Sequence, residues 1–95
     1  SNTVTLLVVG GNAYSTVRQV SFVSITSHRG VVYANKNTIL GSVEIGYSVN
    51  DQILDVWVHA TNYNHYINSV LLGTTYASLK SDIQVEMPNN YQVIE

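Results

Sequence analysis

The sequence predicts an all-β fold, a compact antiparallel β-sandwich of jelly-roll type, and three observations lead there. Val, Ile and Thr make up roughly a third of the chain, the enrichment that pleated, half-buried strands favour. Apolar residues recur at period two, and no dozen-residue stretch carries the i, i+3, i+4, i+7 pattern with a cap that a helix requires. Turn-forming residues punctuate the chain every eight to twelve positions, the spacing of short strands in a two-layer β-domain.

Thr3–Val9 reads as the first strand, closed by Gly10-Gly11. Val17–Thr26 follows. Its alternation sets Val17, Gln19, Ser21, Val23 and Ile25 against Arg18, Val20, Phe22 and Ser24. Neither set is fully polar, so this strand is expected to be covered on both sides. His28-Arg29-Gly30 turns the chain into Val31–Ala34, and Asn35-Lys36-Asn37 is read as a second turn. The firmest local feature is a hairpin. Val43, Ile45, Tyr47 and Val49 share one face of its first strand; Leu54, Val56, Val58 and Ala60 share one face of its second, with Asp55, Trp57 and His59 opposite. Asn50-Asp51-Gln52 connects the two. Later strands are expected at Tyr66–Leu72, Thr75–Leu79 and Ile83–Met87, the last ended by Pro88 and Asn89-Asn90.

Composition narrows the function. The 95 residues suit one domain, and 45% hydrophobic content with 11% charged is far from the low-hydrophobicity, high-charge signature of disorder. Four Lys and Arg with a net charge of −2 form no basic patch for nucleic acid. The longest apolar runs, such as Leu6–Val9, are far short of a membrane-spanning helix. Cysteine is absent, which excludes disulfides and thiolate chemistry. A domain this small, uncharged and unstapled gains stability most readily by associating with copies of itself. The opening residue is Ser rather than Met, and the chain enters an apolar run at once, so it is expected to be a fragment of a longer protein, and the resemblance given below implies its C-terminal part.

The stock for chemistry is thin: three His and six acids. Asp55 and His59 share a strand face about 13 Å apart at the strand rise, too far to hold one metal ion. No HExxH, EF-hand or His-x-His spacing occurs, nor a G-x-S-x-G elbow or a phosphate-binding glycine loop. No catalysis, cofactor or metal is expected. The segment Trp57–Tyr66 differs from its surroundings, since it interleaves Trp57, His59, Tyr63, His65 and Tyr66 with Asn62 and Asn64. Aromatic faces beside amides suit sugars, whose C–H faces lie on rings while hydroxyls bond to amides. Tyr63, Asn64, His65 and Tyr66 are therefore the candidate ligand contacts, and Val20, Phe22 and Trp57 the candidates for buried or intersubunit packing.

Three stretches carry a family resemblance. Thr3–Tyr14 (TVTLLVVGGNAY), Val20–Gly30 (VSFVSITSHRG) and Ile45–Val58 (IGYSVNDQILDVWV) resemble the strand-and-turn pattern of C-terminal tip domains of bacteriophage tail fibres and tailspikes, with His59–Leu72 in the position of the variable loop and final strand. About three quarters of the chain is covered. Gly73–Glu95 extends past the end of many such tips, and the HxH iron-binding repeat of some of them is absent. The resemblance implies a homotrimer on the virion, outside the cell, at the distal end of a fibre. It also implies binding to a bacterial surface glycan or protein, with any depolymerase activity in a preceding domain. Two other readings are a carbohydrate-binding module of a glycan-degrading enzyme and a purely structural trimer cap.

Overall fold

The computed structural model describes residues 2–12, 16, 18–59, 66–75 and 86–95. These form seven strands in two antiparallel sheets, with no helix among the described residues. Sheet A holds β1 (Asn2–Gly11), β2 (Arg18–His28), β3 (Val31–Leu40) and β6 (Tyr66–Thr74) in the order β3-β2-β1-β6. Sheet B holds β4 (Glu44–Asn50), β5 (Ile53–His59) and β7 (Gln92–Val93) in the order β5-β4-β7. In sheet A three consecutive strands are followed by a fourth that returns beside the first, a Greek-key order. The return path runs through the β4–β5 hairpin of the other sheet.

Strand alternation puts one face of each sheet into a common core. Leu6 and Val8 of β1, Val23 and Ile25 of β2, Val43, Ile45 of β4 and Ile94 are buried together. Leu54, Val56 and Val58 of β5 and Ile67 and Leu71 of β6 pack around them. The predicted hairpin is present: Ile45 pairs with Val58, Tyr47 with Val56 and Val49 with Leu54. Its connection is a two-residue turn in which Asp51 and Gln52 both take positive φ, 50° and 66°. Arg29 and Gly30 repeat that geometry between β2 and β3, at 51° and 77°. Turns of this hand match the twist of the strands they join.

Two expectations are corrected. Asn35-Lys36-Asn37 is not a turn, because β3 continues through it to Leu40. Asn35 and Asn37 point outward opposite Ser24 and Phe22, while Lys36 points inward opposite Val23 and donates from Nζ to the Val43 carbonyl at 3.0 Å. An inward cation on a terminal strand, with a bulge at Ile39 where the register jumps, blunts that edge against pairing with other chains. Within the chain β2 is covered on its inner face alone, since Phe22 on the outer face is 40% exposed while the polar Gln19 and Ser21 face inward. Gln19 and Ser21 are buried there and satisfied, Gln19 Nε2 donating to the Ser42 carbonyl at 3.0 Å and Ser21 Oγ bonding Thr38 Oγ1 at 2.9 Å.

Gln19 and Lys36 thus both hold the backbone of residues 42 and 43, where the chain crosses between sheets. Gly41 makes that crossing possible: its φ is +73°, and a Cβ there would lie 2.0 Å from the Arg18 carbonyl oxygen. The expected strands Thr75–Leu79 and Ile83–Met87 fall mostly on residues 76–85, outside the described residues; Thr75 follows β6, and Met87 is not in a strand. β7 follows Pro88, and Glu86 and Met87 just before it are outside any strand.

Candidate functional site

The outer face of sheet B carries Glu44, Gly46 and Ser48 from β4 and, directly opposite, His59, Trp57 and Asp55 from β5. An outward-facing position should be wet, yet Gly46 and Ser48 are buried. Two aromatic rings account for it, one from each neighbour of β4. Trp57 donates from its indole Nε1 to Ser48 Oγ at 2.8 Å, which gives the buried hydroxyl a partner and fixes the ring over the strand. Tyr91 covers Gly46 from the other side, so closely that a Cβ at Gly46 would lie 2.1 Å from Tyr91 Cε2.

Tyr91 is held there by the chain around it. Its N–H donates to the Pro88 carbonyl at 3.2 Å, closing the turn. The Asn90 amide donates to the Val49 carbonyl at 2.9 Å and to Asn50 Oδ1 at 3.2 Å, tying the turn to the end of β4. On the far side β7 pairs Val93 with Gly46, and the Ile94 N–H donates to the Ile45 carbonyl at 2.8 Å while its side chain enters the core.

Glu44 joins the rings to the polar rim. Its Oε2 accepts from the Tyr91 hydroxyl at 3.2 Å and faces His59 Nδ1 at 3.2 Å. Both His59 and Glu44 are largely solvent-exposed, so this ion pair adds little to stability. The environment does act on Tyr91. Burial, then the bond to Glu44 and its negative charge, push the phenol up to about 12. The folded chain therefore holds this proton more tightly than the unfolded one. Stability from this group is complete below pH ~10 and is expected to fall between pH 10 and 12, where the unfolded chain ionises first. Ultraviolet titration of the tyrosines checks it: Tyr91→Phe should remove a component that ionises near pH 12.

Of the four candidate ligand contacts, Tyr63, Asn64 and His65 lie outside the described residues. Tyr66 opens β6 on the outer face of sheet A, about half exposed, with its ring across Gly11. The three candidate packing residues divide between opposite layers. Val20 and Phe22 are on the outer face of sheet A, and Trp57 is on the outer face of sheet B, so one flat contact does not hold all three. Tyr91 and Glu44 had not been singled out from sequence. The signal that could have found them is Gly46, a glycine inside a well-patterned strand, which marks close approach by a ring or another backbone.

Among the described residues no three His, Asp or Glu gather as a metal site. The arrangement offers two rings for apolar sugar faces, with acceptors at Glu44 and Asp55 and an imidazole at His59 around them. Comparison with family models, curated proteins and solved structures returned no match.

Proposed function

We propose that this chain is a non-enzymatic glycan-recognition domain, a jelly-roll-like sandwich working as a homotrimer at the tip of a bacteriophage tail fibre or tailspike. The observation that carries the recognition half is the Trp57–Tyr91 pair. Two aromatic rings are kept at the surface by their own hydrogen bonds and bordered by carboxylates and an imidazole. Rings already held in place lose little conformational entropy when a sugar stacks on them. Tyr63, Asn64 and His65 belong to the same proposal, as the segment that follows His59 in the chain. The viral setting rests on the resemblance of the strand-and-turn motifs. A binding module attached to a glycan-degrading enzyme would use the same rings as a monomer.

Trp57→Ala tests it. Removing one stacking ring should weaken adsorption of the domain to bacterial cells about tenfold, since ~1.4 kcal/mol corresponds to a factor of ten. Circular dichroism should show the β-fold retained, because Trp57 faces away from the core. Unchanged adsorption by a folded variant would favour the structural-cap reading instead.

A further inference from the structure

Charge is segregated between the two sheets. The strands of sheet A contain no Asp or Glu among the described residues, and Arg18, Arg29 and Lys36 all belong to those strands or to the β2–β3 turn. The β4–β5 hairpin is the reverse: it carries Glu44, Asp51 and Asp55 and no Lys or Arg. Glu44 and Asp55 stand one pair-step to either side of the Gly46–Trp57 pair, so the aromatic platform lies between two carboxylates.

We infer that the glycan preferred at this platform is neutral, and that sugars bearing carboxylate, sulfate or phosphate groups are bound more weakly. This rests on the glycan reading above and narrows it. Among the described residues the two Glu44 contacts both fall on Oε2, from Tyr91 and from His59. A neutral sugar hydroxyl can donate to a carboxylate oxygen. An ionised carboxylate has no proton to donate, and it meets the repulsion of Glu44 and Asp55 with no guanidinium or ammonium on the hairpin to offset it. At ~6 Å and an effective dielectric of ~40, one such like-charge contact costs about a tenfold loss of affinity.

The experiment uses the full chain on an immobilised glycan panel containing matched pairs: N-acetyllactosamine with and without sialic acid, and oligogalacturonates as methyl esters and as free acids. The neutral member of each bound pair should bind about tenfold more tightly at low salt. The gap should close as salt approaches 1 M, where screening acts within ~3 Å. Glu44→Gln and Asp55→Asn should each narrow the gap at low salt, and Trp57→Ala should weaken binding to neutral members about tenfold. Equal or tighter binding of the acidic members, still weakened in Trp57→Ala, would overturn the inference and leave the glycan reading standing. Binding to no member of the panel would overturn both.

Discussion

Gly46→Ala is expected to lower the melting temperature by about 12–24 °C, the equivalent of ~3 kcal/mol in a domain of this size. The new methyl would lie 2.1 and 2.3 Å from ring atoms of Tyr91 and 2.4 Å from the Gln92 carbonyl oxygen. A ring can swing aside. The Gln92 oxygen cannot, because it is backbone in β7, which pairs with β4 at Gly46–Val93 and Tyr47–Gln92. Relief therefore requires β7 to move off β4, and that movement pulls on Ile94, which is buried in the core. Overpacking of this kind costs ~1–3 kcal/mol, and loosening an Ile from a core adds to it. Adding Tyr91→Ala to Gly46→Ala should recover only the part due to the ring, since the clash with Gln92 remains. Thermal melts of the two variants against the parent measure both terms. A parental melting temperature in Gly46→Ala would show that β7 does not hold the position described.

That dependence on β7 explains why part of the site was hidden in the sequence. The hairpin face with Asp55, Trp57 and His59 was legible because its information is local: strict alternation and one two-residue turn. Tyr91 reaches Glu44 across 47 positions of chain, and no periodicity within a short window reports such a pairing. The misread of residues 35–37 has the opposite origin. Asn-Lys-Asn has turn chemistry by itself, but tertiary partners override it: the Val43 carbonyl for Lys36, and Ser24 and Phe22 opposite the two Asn residues. Gln19 likewise is a polar residue in an otherwise largely apolar alternating set. Its role is set by the Ser42 carbonyl, 23 residues away.

Phe22→Asp is expected to convert the proposed trimer to single chains of 10.5 kDa without unfolding them. On the outer face of sheet A, Val9 pairs with Val20 and Val20 with Leu40; in the next row Phe22 lies between Leu7 and Asn37, and Leu7 pairs with Val70. Phe22, Leu40 and Val70 are each 40–48% exposed, too open for a water-facing apolar row. Four strands at ~4.8 Å spacing and about nine to eleven residues long give this face roughly 600 Å² in projection. A stable interface needs about 800 Å² of accessible surface per partner, and accessible area exceeds projection, so the face is large enough. Second copies of this chain are the proposed occupants. The strands of this face present no carboxylate among the described residues, so neighbouring copies can cover it without burying an acid of its own. A shallow depression of about 310 Å³ lies beside Phe22, bordered by Thr5, Ser24, Asn35 and Asn37. An Asp at position 22 stays hydrated in the monomer but would be buried unpaired in the assembly, at a cost of several kcal/mol per copy. Sedimentation at micromolar concentration should give about three times the chain mass for the parent and one for Phe22→Asp. Ile53→Asp, at the start of β5 in the other sheet, should leave the assembly intact. A parent that sediments as a single folded chain would remove copies of this protein as the cover for the face, and with them the trimeric setting.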